Sequence, residues 1–210
     1  MGPVSQAEIA VVVGLVATAV TFVQILPQIV RLLRIGLTEG VSPAWAAIGT
    51  TVNAGWIAYV VAEELWVTIP ACIAGVSSYG VVLYLLYRND AGVRTGLLLS
   101  AVVAVACVVV QLEAGWTVLG TVLGLSNGLY LGPSVVAAWR SHTPVGVSPL
   151  SWVLVALEGV LWGLYGVFVE ASPVVVFGVT AALLAGLVLL RLWVTRHRIR
   201  QALRARTNEP

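Results

Sequence analysis

The sequence of 210 residues is short of charge, since only 10% of its residues are charged and none is lysine. Apolar residues make up 60% of the chain, and its mean hydropathy is +1.00. A soluble domain carries about 25% charged residues, so this chain has too little charge to cover a surface that faces water. The composition excludes a soluble enzyme, and we expect no catalytic activity.

Cysteines and phosphate-binding motifs are also scarce. The two cysteines, Cys72 and Cys107, lie in apolar stretches and indicate neither a disulfide framework nor a metal site. The sequence has no G-x-x-x-x-G-K-[ST] string, which would cradle nucleotide phosphates. A net charge of +2 does not indicate nucleic-acid binding. We therefore expect no cofactor, metal or nucleic acid; the expected partners are the lipid bilayer and a small solute, and a homo-oligomer stays open.

Apolar stretches long enough to cross a hydrocarbon core of about 30 Å recur along the whole chain. Reading between the polar breaks predicts seven spans, at residues 8–30, 43–61, 67–87, 93–112, 116–139, 149–169 and 173–194. Trp66, Trp116 and Trp193 fall near span ends, where an indole suits the headgroup layer. The predicted fold class is an all-α polytopic membrane protein.

The arginines fall on one side of this seven-span arrangement. They follow spans one, three and five or lie near the C-terminus, whereas the N-terminus and the other connections carry only glutamates. Because basic residues are enriched in cytoplasmic loops, we predict an outside N-terminus and a cytoplasmic C-terminus. The arginine-rich residues 196–210 are then a cytoplasmic tail that fixes topology. Arginine without lysine suggests a GC-rich bacterial genome, and so a bacterial inner (plasma) membrane.

The chain contains an internal repeat, since a shift of 106 residues aligns it with itself. The aligned residues are Pro27 with Pro133, Trp56 with Trp162, Tyr59 with Tyr165, Glu64 with Glu170, and Gly-Val-Ser-Pro at 40–43 with the same string at 146–149. The shift covers four predicted helices, an even number, so both copies have the same orientation. We predict two three-helix bundles, residues 8–87 and 116–195, joined by a linker helix, residues 93–112. A pseudo-two-fold axis along the membrane normal would relate the bundles and place a solute cavity between them.

Pro27-Gln28, followed by a basic loop and Gly-Val-Ser-Pro, resembles the PQ-loop motif. The second copy, Pro133-Ser134, keeps the proline and lacks the glutamine. Two such bundles joined by one helix resemble the SWEET sugar facilitators, whose half-size relatives are the SemiSWEETs. The resemblance implies a passive sugar facilitator in which the two bundles alternately expose a central cavity.

Four prolines match the SWEET pattern of one proline in each of helices one, two, five and six: Pro27, Pro43, Pro133 and Pro149. A proline inside a helix removes a backbone hydrogen bond and permits a kink. We therefore predict hinges at Pro27 and Pro133. Pro43 and Pro149 are equally well explained as helix starts or as parts of a gate.

The resemblance also implies a solute site lined by Trp56 and Trp162, one from each bundle. The asparagine that SWEET proteins carry in the third helix of each bundle is missing. Its places fall near Cys72, which we include among the predicted substrate-binding residues, and near residues 175–178. Asn53 lies one turn before Trp56 and is a candidate replacement. For Ser126 and Asn127 in span five, hydrogen bonds that hold the bundle together are the favoured interpretation.

Glu158 is the acidic residue that lies well inside a predicted span, where a carboxyl group is costly enough to indicate function. We predict that it binds solute, although a proton site and a structural contact are alternatives. A proton-coupled PQ-loop carrier of amino-acid-like solutes is the second functional hypothesis. A non-transporting membrane receptor on the same fold is the third.

Overall fold

The computed structural model describes residues 5–35, 42–89, 92–142, 144 and 147–207, without the side chains of residues 26–32, 34–35 and 198–207. The predicted hinge Pro27 is thus described only as part of a helical backbone. The loops that hold the two Gly-Val-Ser-Pro strings lie partly outside the described residues.

Six α-helices make up the described part of the chain, with one turn of 3₁₀ helix, Trp66–Thr68, before the third. They are α1 (Gln6–Ile35), α2 (Pro43–Ala62), α3 (Ile69–Arg88), α4 (Arg94–Arg140), α5 (Pro149–Phe168) and α6 (Ser172–Thr207). All six include a stretch that is long and apolar enough to cross a membrane. The all-α class is confirmed, and the helices fit a multi-pass membrane protein.

The structure has six such helices rather than the seven spans expected, because two expected spans, 93–112 and 116–139, are joined in α4. The backbone of α4 leaves the helical conformation at Gly115, which has φ 83° and ψ 178°. Only glycine readily adopts this conformation, because it has no Cβ. A straight helix of 47 residues would be about 70 Å long, over twice the hydrocarbon thickness. The length and the interruption favour two crossings within α4, and the seven-span layout stays a prediction.

The sequence repeat extends to how the helices begin and end. Ser42 and Ser148 cap α2 and α5, and each side-chain oxygen accepts a hydrogen bond from a backbone N–H three residues later. At the other ends, Glu64 and Glu170 have φ of 56° and 57°. The next residue in each copy donates its N–H to the carbonyl five residues back, at 2.8 Å in both cases. Such left-handed ends satisfy carbonyl groups that the helix leaves unpaired.

The helices of the two copies pack across each other, with α1 against α5 and α2 against α4. One buried cluster draws on both copies and includes Ala17, Tyr59, Trp162 and Tyr165. Two smaller clusters each belong to one part of the chain. The first joins α2, α3 and the start of α4 around Leu86, and the second joins α4 and α6 around Val188. Large apolar side chains such as Leu98, Leu129 and Leu183 are exposed, as a lipid-facing surface requires.

Candidate functional site

A cavity of about 240 Å³ lies among the helices, and all six contribute to its wall. Its lining includes the five residues predicted to bind substrate: Asn53, Trp56, Cys72, Glu158 and Trp162. The fold therefore brings together residues that lie up to about a hundred positions apart in the sequence. Their binding of a solute stays a prediction.

Trp56 and Trp162 are held in the wall by equivalent contacts. The ring of Trp56 meets Tyr59 edge to face, with centroids 5.5 Å apart, and Trp162 meets Tyr165 in the same way at 5.7 Å. Phe177 from α6 also packs edge to face on Trp56, at 5.6 Å. These contacts restrict both indoles, so the cavity has a rigid aromatic residue from each copy.

Glu158 connects α5 to α1 at the cavity. Gln24 Nε2 donates to Glu158 Oε2 at 2.7 Å, and Thr21 Oγ1 makes a short hydrogen bond with Glu158 Oε1. Trp162, one turn further along α5, lines the same cavity. The residue lines the cavity and is hydrogen bonded by a neighbouring helix, and its binding of solute stays a prediction.

Thr21 and Gln24 were not predicted as site residues. They are three positions apart, so they lie on the same face of α1, in a span that is otherwise almost entirely apolar. A polar pair at helical spacing inside a membrane span is the signal that could have identified them. Its partner on α5, however, is more than 130 residues away and is evident only in the folded chain.

The first bundle fills the place of the missing asparagine with Cys72, which lies in the cavity wall. The repeat equivalent of Cys72 is Gly178, where a Cβ would lie 2.3 Å from the backbone nitrogen of Gly163. Because α5 and α6 touch through their backbones at this point, the second bundle has no room for a side chain there. The two copies therefore differ in their third helix for a packing reason.

Asn53, the candidate replacement, also lies in the wall and donates its side-chain N–H to Gly49 O at 2.9 Å, within its own helix. Its Oδ1 faces Gly75 on α3, where an added Cβ would lie 2.2 Å away. Ser126, on α4, donates to Leu123 O at 2.6 Å and thus bonds within its helix. Asn127 lies beside it in the cavity lining.

Two further tyrosines that were not predicted, Tyr79 and Tyr130, line the cavity. Tyr79 packs between Trp45, with centroids 4.8 Å apart, and Tyr130, at 5.9 Å. The Tyr79 ring occupies the space above Gly49, where a Cβ would lie 2.3 Å from the ring. This aromatic row links the first bundle to the second segment of α4.

The predicted hinge and gate prolines have different positions in their helices. Pro43 and Pro149 are the first residues of α2 and α5, directly after the capping serines. Pro133 lies inside α4, where it cannot donate a backbone hydrogen bond. The helix-start explanation thus accounts for Pro43 and Pro149 in this structure, and hinge motion at Pro27 and Pro133 stays a prediction.

Residues 9–69 match the family model of the PQ loop repeat, and this segment contains most of α1, all of α2 and the turn before α3. A search of curated proteins finds no match for the chain. The match covers 61 of the 210 residues and shows that this segment is similar to the PQ loop repeat, a family of membrane transporters and receptors. The apolar helices and the cavity among them fit a membrane transporter.

Proposed function

We propose that this chain is a SWEET-type facilitator that moves a small neutral solute, a sugar, across the bacterial plasma membrane. The observation that carries the proposal is the cavity between the repeat copies, with Trp56 and Trp162 in its wall. An indole face can stack on the apolar face of a sugar ring, which is worth about 1 kcal/mol beyond burial by analogy with aromatic pairs. Typical ligand pockets measure about 300–1,000 Å³. A cavity of about 240 Å³ therefore favours a solute no larger than a monosaccharide.

Alternating access requires one end of the cavity to close while the bundles separate at the other end. One cluster that joins the copies lies where α1 begins and where α2 and α5 end, around Tyr59 and Tyr165, and a second joins α2 to α4 around Val52 and Leu123. The clusters around Leu86 and Val188 lie toward the opposite end, and each belongs to one bundle. This packing supports a conformation closed at the first end, which is the outer end if the arginine distribution sets the topology.

In this mechanism the bundles move as units around the cavity, and kinks at Pro27 and Pro133 provide the pivots. Seven spans, with the N-terminus outside and the C-terminus in the cytoplasm, give the two bundles the same orientation. Solute would then pass down its own gradient, without a bound cofactor.

Uptake by the purified full chain in liposomes tests the proposal. We expect radiolabelled D-glucose to equilibrate into these vesicles faster than into protein-free vesicles, and Trp56→Ala to slow the uptake. Trp66→Ala is the matched control, because Trp66 is exposed near a helix end and outside the cavity. A folded protein that moves no sugar would contradict the proposal and favour the receptor hypothesis.

A proton-coupled carrier is the second candidate, and Thr21 is the observation that favours it. Its single hydroxyl proton has two acceptors within reach, Ala17 O at 3.1 Å and Glu158 Oε1. If Thr21 donates to Ala17 O, a protonated Glu158 can donate to Thr21; if Glu158 is ionised, Thr21 can donate to it. Rotation of one hydroxyl would therefore satisfy both protonation states. Accumulation of an amino acid driven by a pH gradient would support this candidate over the facilitator.

A further inference from the structure

Tyr130 lines the cavity, and the contacts described above leave its hydroxyl group unexplained. Its oxygen is buried, and it has no hydrogen-bond partner among the residues that the structure describes. A buried hydroxyl without a partner loses its hydration and gains nothing in return. Such a group on a residue that lines a ligand-sized cavity is therefore a candidate for a bond to the ligand.

The repeat explains why this hydroxyl lacks a partner. Under the shift of 106 residues, Tyr130 is the equivalent of Gln24, and Val52 is the equivalent of Glu158. On the side of the cavity that holds Glu158, Gln24 of α1 donates to the carboxyl group at 2.7 Å, across the copies. In the other half, the equivalent of the carboxylate is a valine, which accepts no hydrogen bond. Tyr130 packs against the apolar cluster that contains Val52.

The position of the Tyr130 ring is set by its neighbours. Tyr79 contacts it across the bundles, with ring centroids 5.9 Å apart, and Tyr79 is itself held by Trp45 and by the space above Gly49. Asn127, one turn before Tyr130 on α4, also lines the cavity, so its amide lies on the same side of the helix. A phenol and an amide can each donate and accept a hydrogen bond, which suits a neutral hydroxyl group.

We propose that Tyr130, with Asn127 beside it, forms a hydroxyl-binding subsite in the cavity wall. By the repeat, this part of the wall corresponds to the part that holds Glu158. The ligand group is a hydroxyl of a neutral polyhydroxylated solute, and the Tyr130 phenol bonds it directly. This inference rests on the proposed function, because it assigns a contact within the same cavity. It also gives the two halves of the cavity different chemistry, since one presents a carboxylate and the other presents a phenol and an amide.

Binding of D-glucose and its monodeoxy analogues to the purified full chain tests the subsite, with tryptophan fluorescence as the readout. We expect Tyr130→Phe to weaken D-glucose binding about fivefold to tenfold, as the loss of one hydrogen bond implies. One monodeoxy analogue should bind the wild type more weakly than D-glucose does. The same analogue should bind Tyr130→Phe as tightly as D-glucose binds that variant, because it lacks the hydroxyl that Tyr130 contacts. The melting temperature of Tyr130→Phe should equal or exceed that of the wild type, since the variant removes an unpaired buried hydroxyl.

Tyr84→Phe is the matched control, because it removes the same hydroxyl from an exposed tyrosine of α3 outside the cavity. D-glucose binding to Tyr130→Phe within twofold of the wild type would overturn the subsite, even if the protein transports sugar. The subsite would also be overturned if every monodeoxy analogue bound more weakly than D-glucose by the same factor in the wild type and in Tyr130→Phe. A wild type that does not bind D-glucose would overturn it too. Binding with the expected pattern, but without uptake into liposomes, would support the subsite and refute the proposed transport.

Discussion

Two glycines at the end where the copies meet allow a crossed contact that an added methyl group would disrupt. An alanine Cβ at Gly120 would lie 2.7 Å from Tyr59 Cε2 and from Pro173 Cβ. At the repeat-equivalent Gly14, it would lie 2.9 Å from the ring of Tyr165. Each glycine thus accommodates the tyrosine of the other copy, and Gly120→Ala should weaken the contact that joins the bundles.

The size of the effect follows from these distances. Carbon atoms pack at about 3.5–4.0 Å, so the new methyl group would intrude by about 1 Å. Overpacking of this kind costs about 1–3 kcal/mol. Alanine also favours a helix over glycine by up to about 1 kcal/mol. Gly128→Ala gains the same helix propensity but creates no clash, because nothing lies within 4 Å of a Cβ at Gly128.

The difference in stability between Gly120→Ala and Gly128→Ala therefore measures the cost of the clash alone. We expect the free energy of unfolding to be lower in Gly120→Ala by about 1–3 kcal/mol, as measured by denaturant titration of the purified full chain. In the Tyr59→Leu background, Gly120→Ala should cost less than it does in the wild type, because the clash with the tyrosine ring is gone and only the contact with Pro173 Cβ remains. Equal stabilities of Gly120→Ala and Gly128→Ala would refute the crossed contact between the copies.

Three further outcomes are expected. Glu158→Gln should change the apparent affinity for solute without altering any pH dependence, because in a passive facilitator the carboxyl group contacts the solute and carries no coupled proton; loss of pH-driven accumulation would instead refute the passive facilitator. A cysteine introduced beside Arg94 should resist an impermeant thiol reagent added to intact cells, while one beside Glu64 should react, and the reverse labelling would overturn the orientation. Pro27→Ala combined with Pro133→Ala should leave the protein folded but slow its transport turnover, because alanine restores the helical hydrogen bonds; an unchanged rate would remove the hinge assignment.

The features that depend on local composition could be derived from the sequence alone. Span length is set by the hydrocarbon thickness, so the apolar stretches predicted the bounds of α2, α3 and α5 within two residues. Pro43 and Pro149 marked the first residues of α2 and α5. The shift of 106 residues also predicted which residues are equivalent, including Trp56 and Trp162. Apolarity does not distinguish a loop from a kinked helix at Gly115, where the structure continues α4.

Only the tertiary structure decided which side chains meet across the bundles. The partners of Glu158 on α1, the contacts between each glycine and the tyrosine of the other copy, and the unpaired hydroxyl of Tyr130 all depend on how the helices rotate and cross. A repeat in the sequence states that two positions are equivalent, but not which residue each of them faces. That choice comes from close packing between helices, because small residues let backbones approach and thereby set which polar groups find a partner.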